Sequence, residues 1–254
     1  MRHIIQNLLR CAAAEVFMYA ILSTLIATFV FSSTATAGDA LETRWVRDSV
    51  EYHTLAQQTY RTALLSVEAE AKNHKRWGVV LDLDETVLDN STYQLERHSY
   101  GDTFEMNSWN AWCERRAASA IPGAKDFLDA VRKMGGKVVF ISNRHVVAEQ
   151  ATKDNLDALG LWGKGDIICL KTDDEAYSKV VRRTEARTGS GTCTVKDKGM
   201  SLLAYLGDNI HDFPEAGEET QEGGREGLFG IRYFLFPNPM YGSWSRKPTR
   251  PMNP

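Results

Sequence analysis

The stretch Gly78-Val79-Val80-Leu81-Asp82-Leu83-Asp84-Glu85-Thr86-Val87-Leu88-Asp89-Asn90-Ser91 decides how the rest of this 254-residue chain is read. Val79 to Leu81 has the character of the end of a buried strand, and Asp82, Asp84, Glu85 and Asp89 follow it within eight residues. Carboxylates crowded at the mouth of an apolar core repel one another and resist desolvation, so they persist where a cation or a shared proton compensates them. Asp82 and Asp84 are two apart, the spacing that projects side chains of an extended segment from one face. Two readings stand on these residues alone. One is a charged functional site; the other is a strand ending in an acidic turn, with Asp84 capping a helix from Thr86.

The flanking sequence weighs on that choice. Upstream, Asp39 to Lys72 lacks Pro and Gly and carries apolar residues at roughly helical spacing, which predicts one or two helices. Downstream, Lys137–Ile141 is a second buried strand that runs into Ser142, Asn143 and Arg144, and Asp166–Leu170 is a third. Leu202–Leu206 is a fourth, running into Gly207, Asp208 and Asn209, and Ile231–Phe236 is a fifth. Helices fall between them at Ala124–Met134, Ala148–Leu159 and Glu175–Ala186, the last a basic helix with Lys179, Arg182 and Arg183. Strands alternating with helices predict an α/β protein, a Rossmann-like three-layer parallel sheet, whose ligands bind outside the carboxyl ends of the strands. The unusual polar residues fall at those ends: Asp82 and Asp84, then Ser142, then Asp208 and Asp212, with Lys179 opening the helix after the third strand. An acidic turn has no reason to recruit a hydroxyl, an amine and two further acids to the same edge.

Other features bound the reading. A net charge of -3 gives no basic excess to suggest a nucleic-acid polymer as partner. Residues 1–37 combine a basic start, an apolar stretch from Ile21 to Phe31 and the small-x-small pattern Ala35-Thr36-Ala37, which predicts an export signal cut before Gly38. The apolar stretch is short and broken by Ser23, Thr24 and Thr28, which argues against an uncleaved anchor. Residues 38–75 are then an N-terminal helical segment and 76–254 the core, with a small cap insertion at about 92–118 marked by Tyr93, Tyr100, Phe104, Trp109 and Trp112. Without its leader the chain keeps Cys113, Cys169 and Cys193, so one disulfide is allowed and none required; Cys169, in an apolar run, reads most simply as a buried core thiol.

Three carboxylates converging on one point call for a hard cation, and Mg2+ suits carboxylates, a backbone carbonyl, waters and a phosphate oxygen. A phosphate would complete the site, its charge balanced by Mg2+ and Lys179, with Ser142 and nearby backbone N–H groups donating to its oxygens. An Asp carboxylate can attack phosphorus to form an aspartyl-phosphate, and a second carboxyl beside it can move protons.

Asp82-Leu83-Asp84-Glu85-Thr86-Val87-Leu88 resembles the first motif of the haloacid dehalogenase superfamily of phosphohydrolases. Ser142, Lys179 and Gly207-Asp208-Asn209-Ile210-His211-Asp212 resemble its other three motifs in order. The longer matches LDETVLDNS (Leu83–Ser91), ISNR (Ile141–Arg144) and PNPMYGSW (Pro237–Trp244) are similar to the exported class C acid phosphatases. The resemblance implies a haloacid dehalogenase fold and a Mg2+-dependent acid phosphatase acting on phosphate monoesters such as 5'-nucleotides. By the same resemblance Asp82 is nucleophile and metal ligand, and Asp84 is general acid/base with its carbonyl on the metal. Asp208 is the second acidic ligand and Asp212 a supporting acid. Ser142, Asn143 and Lys179 bind phosphate, with Lys171 the rival for the lysine. Tyr241, with one or more of Tyr93, Trp109 and Trp112, would stack a leaving group.

No Cys stands near Ala37 to carry a lipid, so the resemblance implies a periplasmic or secreted protein with no stable membrane anchor, acting on a small phosphate ester. A homodimer is left open. Two alternatives share the fold: a phosphotransferase using the same intermediate, and a non-catalytic binding or storage protein, which loss of the nucleophile would favour.

Overall fold

The structure, a computed structural model, describes residues 40–101, 104–194, 198–215, 218 and 226–246. The expected export signal lies outside the described residues, as does most of the acidic loop before Gly227. Among the described residues, five strands form one parallel sheet. β1 (Trp77–Leu81) is central, flanked by β4 (Lys137–His145) and β6 (Ser201–Gly207), with β5 (Ile167–Lys171) outside β4 and β7 (Tyr233–Leu235) outside β6.

The two-residue period of the strands sorts their side chains into two layers. Val79 and Leu81 share one face with Val138, Phe140, Ala204 and Leu206, whereas Val80 shares the other with Val139, Ile141 and Tyr205. The first face is covered by α2 (Val50–Ala71), α5 (Ala124–Lys133) and α6 (Glu149–Ala158) through Tyr60, Phe127, Leu128 and Leu156. The second takes Ala186 of α7 (Lys179–Thr188) and Phe213. Each fully buried aromatic in these layers contributes about 2 kcal/mol of transfer free energy.

The N-terminal residues enter this core. After α1 (Leu41–Asp48), Ser49 caps α2 by accepting from the Tyr52 N–H at 3.0 Å, and Tyr52, Tyr60 and Val67 are buried. The Tyr60 hydroxyl donates to the Thr86 carbonyl at 2.5 Å, which ties α2 to the turn that follows β1. Among the described residues, no helix is long and apolar enough to cross a membrane.

Three sequence expectations are corrected. No helix starts at Thr86. Val87 and Leu88 both donate to the Leu83 carbonyl at 2.8 Å, and Glu85 takes a φ of 56°, so the chain makes a tight turn that β2 (Leu88–Asp89) leaves. The basic helix starts at Lys179, not Glu175, because Asp174 accepts from the Ala176 N–H in a local turn and Ser178 caps α7. Cys169 is not a free thiol; it is bridged to Cys193. An apolar run looks the same whether its cysteine is free or paired. Cys113 is the free one among the described residues, and burial pushes its thiol up to about 11.

β2 pairs antiparallel with β3 (Ser119–Ala120), and α3 (Ser91–Ser99) and α4 (Met106–Glu114) lie between them in sequence. Tyr93, Trp109 and Trp112 are buried, with Tyr93 and Trp109 edge to face at 5.0 Å. Tyr93, of the three rings among which one or more would stack a leaving group, packs against both Trp109 and Trp112.

Candidate active site

The carboxyl ends of β1, β4 and β6 bring the predicted residues together. The Asp82 N–H donates to the Leu206 carbonyl at 2.9 Å, continuing the β1 to β6 pairing and placing Asp82 beside the Gly207-Asp208 turn. Carboxylate oxygens of Asp82, Asp208 and Asp212 lie within 4.8 Å of one another. Lys179, the first residue of α7, reaches into this group: its Nζ is 2.8 Å from Asp82 Oδ1 and 2.6 Å from Asp212 Oδ1. Lys171, the rival, is exposed at the end of β5.

Asp212 is fixed on both oxygens, because the Asn209 N–H donates to its Oδ2 at 2.8 Å. Glycine at 207 makes this approach feasible: a Cβ there would lie 2.4 Å from the Asp212 carboxylate. From behind, buried Arg183 donates to the carbonyls of His211 and Asp212 and pairs with Glu218.

The electrostatics follow from crowding. Burial, reinforced by Asp212 and Asp84, pushes Asp82 up to about 7 against the opposing pull of Lys179. Asp208 is raised well above the usual carboxylate range by burial and by Asp212 and Asp82. Burial works against the Lys179 ammonium, yet Asp212 and Asp82 outweigh it and hold the amine above the ordinary lysine range. Among the described residues, Lys179 is the one cation paired with this trio. Three hard oxygen donors with excess negative charge at a buried point fit a divalent cation. Asp82 and Asp208, with the Asp84 carbonyl that the motif supplies, would hold it.

Asp84 points to a different set. Its Oδ1 accepts from Arg144 Nε at 2.9 Å and Nη2 at 2.8 Å, and from Asn90 Nδ2 at 3.0 Å, while Ser142 Oγ donates to Oδ2 at 3.3 Å. Ser142 is buried, and its carbonyl accepts from Arg182, which also donates to the Cys169 carbonyl and to Asn143 Oδ1. Asn143 itself is exposed. Tyr241 is half-buried, placed by its backbone N–H on Asn238 Oδ1 at 3.4 Å.

Sequence reasoning gave no role to Arg144, Asn90 or Asn238, although Asn238 donates to Asp208 Oδ2 at 2.8 Å. Glu85 is fully buried, and burial together with Asp84 and Asp208 raises its carboxyl well above the usual range. A signal for Arg182 and Arg183 did exist. They stand three and four residues after Lys179 in one helix, the spacing that shares a face with it.

The sequence profile of the HAD superfamily, subfamily IIIB (acid phosphatase), matches residues 27–244. The chain belongs to this family. The subfamily IIIB fold is matched by the crystal structure of a class C acid phosphatase from Bacillus anthracis with tungstate bound. That match has 30% identity and a TM-score of 0.66, and covers 80% of this chain and 85% of that one. Acid phosphatase 1 of Solanum lycopersicum is 25% identical over 163 residues, 64% of this chain and 57% of that protein's length. A stem 28 kDa glycoprotein of Glycine max is 26% identical over 190 residues, 74% of this chain and 66% of its own length. The subfamily IIIB chain thus spans about three fifths to two thirds of these two curated relatives.

Proposed function

We propose that this protein is a Mg2+-dependent acid phosphatase that hydrolyses small phosphate monoesters, 5'-nucleotides among them, through a phosphorylated Asp82. The observation that carries this reading is the convergence of Asp82, Lys179, Asp208 and Asp212 at one sheet edge, with Asp84 separately oriented beside them. The tungstate held by the Bacillus anthracis enzyme, an oxyanion shaped like phosphate, supports the same reading.

In this mechanism an Asp82 oxygen attacks phosphorus and the bond to the leaving oxygen breaks. Asp84 gives that oxygen its proton, so an alcohol departs and an aspartyl-phosphate remains. Water then attacks the phosphorus, Asp84 takes the water's proton, and inorganic phosphate leaves as the Asp82 carboxylate is restored. Lys179 offsets negative charge next to Asp82, and Asp212 holds the amine there. Ser142 and Asn143 lie in the carboxyl-terminal half of β4, where a phosphate oxygen would be received. When bound, the divalent ion neutralises charge that develops on the transferring phosphoryl group.

The segment 92–118 acts as a small cap, and Tyr241 lies on the terminal loop that reaches Asp208 through Asn238. The Cys169–Cys193 bridge supports export to an oxidising compartment, periplasmic or extracellular. The storage reading is disfavoured because nucleophile, amine and acids are all in place. Hydrolysis of p-nitrophenyl phosphate and of a 5'-nucleotide, with Mg2+ or with EDTA, tests the proposal on wild type and on Asp82→Asn. Activity that survives EDTA, or that is undiminished by the substitution, would sink it; transfer to an added alcohol in place of hydrolysis would favour the phosphotransferase.

A further inference from the structure

Asp84 is held by buried polar contacts that end on α4. Its three short contacts, two from Arg144 and one from Asn90, all fall on Oδ1, which leaves Oδ2, with one long contact to Ser142, as the less engaged oxygen. Asn90 is fully buried, and its backbone N–H is fixed on Glu85 Oε1 at 2.8 Å. Its side-chain Oδ1 accepts from Trp112 Nε1 at 2.8 Å and from Arg144 Nη2 at 3.2 Å. An indole nitrogen can only donate. Its Nδ2 donates to Asp84 Oδ1 and to the Leu88 carbonyl at 3.3 Å, so the amide has one orientation, and Trp112 is the closer of the two donors that hold its oxygen.

We propose that Trp112 is a positioning residue for Asp84: its indole N–H, the closer donor on Asn90 Oδ1, holds the Asn90 amide where it donates to Asp84, so α4 orients that carboxyl. This rests on the reading of Asp84 as general acid. The consequence is specific to the leaving group. An alkoxide needs a proton as the phosphorus–oxygen bond breaks, whereas p-nitrophenolate departs largely unaided.

The test compares kcat/KM for p-nitrophenyl phosphate and for glycerol phosphate, with Mg2+, in wild type, Trp112→Phe and the Trp112→Phe/Asn90→Ala pair with its Asn90→Ala parent; kcat/KM reports the step in which the leaving group departs, whereas hydrolysis of the aspartyl-phosphate is common to both esters. The ratio of the two kcat/KM values is independent of how much of a preparation is folded, so partial loss of fold does not blur it. Trp112→Phe should lower kcat/KM on glycerol phosphate about tenfold while changing p-nitrophenyl phosphate less than about threefold, a part of the roughly 10²–10⁴-fold that general acids supply. In the Asn90→Ala background the same substitution should not change the ratio further, since its route to Asp84 is gone. Equal losses on both esters, or an undiminished extra effect in the Asn90→Ala background, would overturn the inference alone. A wild-type protein that cleaves neither ester would overturn the phosphatase reading and the inference with it.

Discussion

Lys179 bridges two acids of unequal standing, with Nζ 2.8 Å from Asp82 Oδ1 and 2.6 Å from Asp212 Oδ1. Asp212 has a backbone N–H on its other oxygen, whereas Asp82 faces a second crowded acid in Asp208. The amine is therefore anchored by Asp212 and presented to Asp82. Removing the cation of this buried group costs about 3–5 kcal/mol because the acids it served are left uncompensated, whereas Lys179 keeps Asp212 when Asp82 is neutralised. Lys179→Met should lose stability on that scale without metal and regain part of it with Mg2+, as read by urea unfolding in EDTA and in Mg2+. Equal loss in both conditions would count against a shared cation site.

Asp82→Asn keeps the shape of the side chain and removes both the nucleophile and one negative charge. Activity on p-nitrophenyl phosphate should fall about 10³-fold or more, the scale of nucleophile knockouts. The metal-free variant should be as stable as wild type or more so near neutral pH, because one source of repulsion is gone. Parallel kcat and thermal-melting measurements check both halves.

The pH dependence of the metal-free protein follows from Asp82 being pushed up to about 7. Folding raises this carboxyl above its unfolded value, so its stabilising contribution is complete below about pH 4 and is lost as pH rises through about 7. Wild type in EDTA should lose Tm relative to Asp82→Asn across that window. Mg2+ binds the carboxylate form, so the rise in Tm that it produces should be larger at about pH 7.5 than at about pH 4.5. A wild-type Tm that climbed relative to the variant over the same window would contradict the assignment.

The sheet and the acids were legible because they break local rules: Asp82 and Asp208 follow apolar runs where a solvated surface offers no reason for them. The residues that orient those acids were not. Arg144 lies 60 positions from Asp84, Trp112 lies 22 from Asn90, and Asn238 lies 30 from Asp208, so each is an ordinary polar or aromatic residue until the chain folds. The aromatic run 92–118 is ambiguous in sequence for a related reason. Composition marks Tyr93, Trp109 and Trp112 as ligand-facing or core alike, and only packing separates the two.

The Cys169–Cys193 bridge closes a loop with a sequence separation of 24 and lies next to the Arg182 contact on the Cys169 carbonyl. A loop of that size stabilises by about 3 kcal/mol through the unfolded chain. Cys193→Ser should lower unfolding free energy by that order in non-reducing buffer. Dithiothreitol should bring wild type down to the variant. If reduction left wild type unchanged, the bridge would be absent in solution.

Asn238 offers the last test, because it touches a candidate metal ligand and carries no charge of its own. Its Nδ2 donates to Asp208 Oδ2 at 2.8 Å, and its Oδ1 accepts from the Met240 and Tyr241 N–H groups, so the terminal loop holds the amide from behind. The Asn238 bond favours ionised Asp208 against the burial and repulsion that raise it. Without that donor, Asp208 should bind its proton more tightly and its rotamer should be less fixed, and both effects oppose a cation. Losing such a supporting contact weakens metal affinity about 10–100-fold. Asn238→Ala should therefore raise the Mg2+ Kd measured by calorimetry by at least about tenfold, while the metal-free Tm changes little. The deficit should shrink as pH rises, because deprotonation of Asp208 then no longer competes with binding. Unchanged affinity with a lowered Tm would show that Asn238 holds the loop and not the acid.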